Sequence, residues 1–195
     1  MNEPMDIEAV RTEALRKLGR NVVNFAKIEA AFKHLLARSQ VEGTPEAIFD
    51  QLHKNQTRLH KQTLGGLVQE FNKNVVSDRS QSEPTPDFSE TKISILLKLT
   101  CDNPDVLEAQ KLALSKVVAE RNRLIHQDLA LLDTSSVEDY LKLIHLLDEQ
   151  NPRLLAHLEN LGWMIELLGN SLKAFEKLSK SPDFPQCIQS SQTDA

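Results

Sequence analysis

From Ile7 to Arg38 the chain reads IEAVRTEALRKLGRNVVNFAKIEAAFKHLLAR, and this stretch decides the fold. Val10, Ala14, Leu18, Val22, Phe25, Phe32 and Leu36 fall on one helical row built from steps of three and four residues. Such a stripe covers one face of an α-helix and needs other helices to bury it. Position 29 belongs to the row and holds Glu. Gly43-Thr44-Pro45 then breaks and restarts the chain, with Thr44 as helix cap and Pro45 as first helical residue. A second helix is predicted over 46–62, interrupted by Gly65-Gly66, with a shorter helical piece through Phe71.

The polar, proline-containing run SDRSQSEPTPDFSE, residues 77–90, reads as a loop. Ile93, Ile95, Leu97 and Leu99 alternate with Ser94, Lys98 and Thr100, which suggests a strand. Phe71–Val76 is its nearest partner, so a small β-hairpin insertion is an option. Asp102 is expected to cap a third helix whose row is Leu107, Gln110, Leu114, Val117, position 121 and Leu124. Ser135 with Glu138 forms a capping box for a fourth helix ending near Gln150. Asn151-Pro152 opens a long fifth helix with Leu154, Leu158, Leu161, Ile165, Leu168, Leu172 and Phe175 on one row. The fold class expected is therefore mostly α, a four- to five-helix bundle over residues 1–180. Residues 181–195, with two prolines and little apolar content, are expected to be a disordered tail.

Bulk properties narrow the function classes. No apolar run has the length of a signal peptide or a membrane span, which predicts a cytoplasmic protein with no membrane partner. Cys101 and Cys187 are far apart and read as thiols. The net charge of -5 argues against general coating of nucleic acid, yet it is unevenly spread. Residues 1–79 carry 12 Lys/Arg against 10 Asp/Glu, while the remainder carries 11 against 18. Arg11, Arg16, Lys17, Arg20, Lys27, Lys33 and Arg38 give the first helix a basic strip able to meet phosphates, or simply a solvated face. The histidines at 34, 53, 60, 145 and 157 lack zinc-type spacing, and Gly65-Gly66 lacks the Lys-Ser/Thr of a phosphate loop, so no metal and no cofactor is expected.

The chemistry-bearing segment is Arg121-Asn122-Arg123-Leu124-Ile125-His126. Arg121 and Asn122 interrupt an apolar face, where an unpaired guanidinium is costly. His126 is one turn beyond Asn122, and five residues place Arg121 and His126 roughly 140° apart on a regular helix. The guanidinium suits bidentate grip of phosphoryl oxygens, the imidazole suits proton transfer with a ribose 2′-OH, and the Asn122 amide can orient either.

The segment VAERNRLIH, residues 118–126, resembles the signature of the HEPN superfamily, an Arg followed after four to six residues by a His, often with a polar residue directly after the Arg. The spacing here is R-x-x-x-x-H, with Asn122 as the polar residue. The run GRNVVNF, then Ile28-Glu29 and Lys33, also fits. The sequence has Asp128 where one branch, associated with nucleotidyltransferase-type antitoxins, has a tyrosine. The resemblance implies a helical bundle, commonly a homodimer. It further implies a metal-independent endoribonuclease acting as a toxin or defence effector and restrained by an antitoxin or regulatory protein. On that reading RNA is the substrate, Arg121, His126 and Asn122 are catalytic, Glu29 and Lys33 support them, and Arg123 and Lys27 contact RNA. Two alternatives stand beside it. The chain could be a non-catalytic, dimeric helical interaction module, with Arg121 closing the bundle through Glu29. The simpler reading of Glu29 itself is a pair with Lys33, four residues on.

Overall fold

The computed structural model describes residues 6–43, 47–78, 93–96, 98–101 and 103–179. In chain order they form α1 (Ile7–Ser39), β1 (Gln40–Gly43), α2 (Ala47–His60), α3 (Leu64–Asn74), β2 (Val76–Asp78), β3 (Ile93–Leu96), β4 (Leu99–Cys101), α4 (Pro104–Arg123) and α5 (Val137–Ser179). A π-helical turn, Leu124–Asp128, extends α4. The chain is thus a mostly α bundle. The expected tail at 181–195, the Thr44-Pro45 cap and most of the loop at 77–90 lie outside the described residues.

Helix α1 starts at Asp6, whose carboxylate accepts from the Glu8 amide at 3.1 Å. Ala14, Ile28, Phe32 and Leu35 on its inner face are fully buried, and Val22, expected in that row, is 40% exposed. Helix α5 lies along α1 with Leu147 and Leu154 fully buried. Between them runs a polar seam. The Asn21 side-chain amide donates to the Leu147 carbonyl at 2.9 Å and to Gln150 Oε1 at 3.0 Å. Asn24 donates to Asn151 Oδ1 at 3.0 Å. Arg20 donates to the Leu147 carbonyl at 3.2 Å and to Asp148, which also pairs with Lys17. Partner numbers rise together along both helices, so α1 and α5 run in the same direction. The links of α1 to α2, Lys33 to the His60 carbonyl and Asn55 to the Ala37 carbonyl, run in opposite order and mark an antiparallel pair.

Five expectations need correction. The fourth and fifth helices are one helix: α5 passes through Pro152 without ending. Proline removes one helical hydrogen bond and crowds the carbonyl four residues back. The α1 seam supplies side-chain donors to Leu147 and Asn151 beside that lesion, and burial on both sides of it holds the axis together. The start of α5 is capped by Ser136, whose hydroxyl accepts from the Asp139 amide at 3.2 Å, rather than by Ser135.

The glycine pair does not break a helix. Thr63 caps α3, and Gly65-Gly66 sit in its first turn. Likewise Asn103, not Asp102, is the cap observed for α4, accepting from the Asp105 amide at 2.9 Å.

The strand at 93–96 exists but does not form the expected hairpin. β3 pairs antiparallel with β1, Ile95 opposite Val41, and β4 pairs parallel with β2, Leu99 opposite Val76. Phe71 is helical and fully buried edge-on against Phe32, with ring centroids 5.1 Å apart, so it has no part in a strand. Alternation in sequence identifies a strand, and only the surrounding helices select its partner.

Two outcomes test the seam. Asn21→Ala leaves a buried carbonyl and Gln150 short of a donor, so the urea midpoint should fall by an amount equal to about 1–3 kcal/mol. Lys17, and after it Arg20, holds the Asp148 carboxyl below the usual carboxylate range. A lowered folded pKa adds stability that is present above the unfolded value of about 3.9 and is lost as pH falls through the folded one. The melting temperature should drop between about pH 5 and pH 2, with a shallower drop in Asp148→Asn.

Candidate functional site

The buried row of α4 is Leu107, Leu114 and Val117, followed by Leu124 in the turn beyond. Arg121, four residues past Val117, continues that row and is half-buried. At Leu124 the backbone widens: the Leu129 amide donates to the Leu124 carbonyl five residues back, at 3.1 Å. The widening has a packing cause. Leu124 is fully buried and Leu129 packs against the same core, although five residues on a regular helix would point them apart. The π turn brings both inward. Arg123 Nε donates to Asp128 Oδ1 at 3.2 Å across the same five-residue step. A π turn holds more residues than the 3.6 of an α-helix, so Arg121 and His126 stand closer in angle than the roughly 140° expected from regular geometry.

On the opposite, outward face lies a broad depression of about 630 Å³ lined by Lys116, Ala119, Glu120, Asn122, Arg123, His126 and Gln127. His126 and Asn122 are exposed there. Arg121 is not in its lining. It reaches the rim through one contact, Nη1 donating to Asn122 Oδ1 at 3.1 Å. Among the described residues no carboxylate pairs with Arg121. Its guanidinium therefore stays at the edge of the core, aimed at the amide beside His126.

The other expected residues fall elsewhere. Glu29 pairs with Lys33 at 2.7 Å, and Lys33 also bonds the end of α2, so this pair ties helices together and does not line the depression. Lys27 is exposed on α1 and is likewise absent from it. Arg123 lines it, with Nε held by Asp128 and its side chain 63% exposed.

Two participants escaped the sequence reading. Lys116 adds a cation one turn before Glu120 on the same face. Glu120 itself is not simply solvated, because Arg153 of α5 bonds it at 3.0 Å and offsets its charge. The steps of three and four that join Lys116, Ala119, Glu120, Arg123 and Gln127 were the available signal. Among the described residues no group of three or more His, Cys, Asp or Glu is placed to hold a metal ion. No described helix is long and apolar enough to cross a membrane. No protein-family model, curated protein or solved structure matches the chain.

Asp128→Ala should release Arg123 and loosen the π turn while the bundle persists. The Leu129 amide should exchange with deuterium several-fold faster. The global stability change should stay below about 1 kcal/mol, as suits an exposed pair. Unchanged exchange at Leu129 would mean that core packing alone holds the turn.

Proposed function

We propose that the chain is a metal-independent endoribonuclease of HEPN type, acting as a toxin or defence effector under an antitoxin or other regulatory protein. The observation that carries this reading is the Arg121–Asn122 contact one turn before an exposed His126, which itself lies in a widened helical turn. Such turns recur at functional sites. Exposed, His126 is accessible to substrate, and an imidazole is the side chain suited to act as base or acid in proton transfer.

In the proposed reaction an imidazole accepts the proton of a ribose 2′-OH and the freed oxygen attacks the adjacent phosphorus. The bond from phosphorus to the 5′-oxygen breaks, and an imidazolium protonates that leaving oxygen. The products are a 2′,3′-cyclic phosphate and a 5′-hydroxyl. Arg121 stabilises the charge that builds on the phosphoryl oxygens, Asn122 orients it, and Arg123 and Lys116 attract the strand. A homodimer formed across the outward face of α4 would set two histidines at one cleft, one for each proton transfer, as a two-fold interface requires. The cytoplasm, where RNA is the substrate, is the compartment this reading implies.

Purified protein with excess chelator should cleave RNA and leave cyclic-phosphate ends. His126→Ala and Arg121→Ala should each lower the rate about a hundredfold or more with an unchanged circular dichroism spectrum. Equal rates in wild type and His126→Ala would reject catalysis and leave a non-catalytic helical binding module as the reading.

A further inference from the structure

The one tryptophan of the chain stands at a second cleft. Trp163 is 59% exposed on α5, at the rim of a cavity of about 380 Å³ between α4 and α5. The floor is apolar: Phe71, Leu114 and Leu161 are all buried. Three polar side chains, Gln110, His157 and Asn160, border this apolar space, and among the described residues none of them makes a hydrogen bond. Asn160 is exposed and Gln110 and His157 are half-buried, so their donors and acceptors face the open cleft and are accessible to a ligand.

The chemistry of the lining defines that ligand. It contains no Lys, Arg, Asp or Glu, so it favours an uncharged group over a phosphate. Gln110 and Asn160 each carry a donor and an acceptor. Burial, partly opposed by the Glu120 charge, lowers the His157 pKa, so its neutral ring also offers one of each. A flat ring with alternating donors and acceptors on its edge fits this set, and an exposed indole gives it a stacking face. Charge lies next door. Lys116, three residues past Ala113 of the cleft, lines the depression at His126. From Ala113 to Asn122 the helical rise is roughly 13 Å at 1.5 Å per residue, within reach of a short single strand.

We propose that this cleft is a nucleobase subsite, in which Trp163 stacks on one base of a single-stranded RNA while Gln110, His157 and Asn160 hydrogen-bond its edge. The inference rests on the ribonuclease reading and deepens it by making unpaired RNA the substrate class. Bases held in a duplex could not enter, whereas unstacked bases are what aromatic side chains capture.

The sole tryptophan makes the test direct. A short 2′-O-methyl oligoribonucleotide cannot be cleaved through a 2′-OH, so binding is read apart from catalysis. It should quench Trp163 fluorescence saturably, and the same strand lacking bases should not. With a fluorescently labelled strand, Trp163→Ala should weaken affinity about tenfold or more, and Gln110→Ala with Asn160→Ala should weaken it similarly at unchanged melting temperature. Absence of saturable quenching, or equal quenching by the base-free strand, overturns the subsite. Quenching by the intact strand without any RNA cleavage keeps the subsite and rejects the nuclease step. Cleavage without quenching does the reverse.

Discussion

The architecture depends on a polar seam inside an apolar interface. Asn21 of α1 is fully buried, and its side chain is shared between the Leu147 carbonyl and Gln150 of α5. A buried amide is costly unless its partners are in place, and those partners exist at one register only. Leucine rows alone would tolerate a slide of one turn along the interface. The amide ladder from Asn21 to Asn24, flanked by Lys17 and Arg20 on Asp148, does not. The same seam meets α5 beside Pro152, where the helix is weakest.

The direction of the two longest helices follows from that register, and the position of α4 follows from the two helices. α4 offers Leu107, Leu114, Val117 and Leu124 to the core, then must keep Leu129 inside as well. The π turn resolves the mismatch between that apolar spacing and a 3.6-residue helix. A packing requirement thereby sets the direction of His126. Arg123 and Asp128 close the turn from outside, which ties the outward electrostatics to the inward packing.

The candidate site is consequently split across one helix. Arg121 continues the buried row, His126 lies on the exposed face, and Asn122 links them. Two neighbouring surfaces with different chemistry meet along α4. One carries the charged side chains Lys116, Glu120 and Arg123 around His126, and the other has no Lys, Arg, Asp or Glu in its lining around Trp163. Glu120 lies on the side of the depression nearer the cleft, and Arg153, bonded to it, partly offsets its negative charge. A phosphate backbone and a base require that division of labour.

Much of this was legible in the residues alone. The helical rows, the mostly α class, the strand at 93–96, the Glu29–Lys33 pair and the polar break at Arg121-Asn122 follow from spacing, because side-chain periodicity is a local property. What only the tertiary structure decided is non-local. Pro152 looked like a boundary, and it became the interior of α5 because the helix is buried on both sides of it, at Leu147 and Leu154. The strand's partners, β1 for β3 and β2 for β4, were chosen by where α1 and α3 deliver their ends. The five-residue turn at Leu124 and the cleft at Trp163 arise only when separate helices compete for one core. Local sequence specifies which face each segment wants to bury, and long-range packing specifies against what.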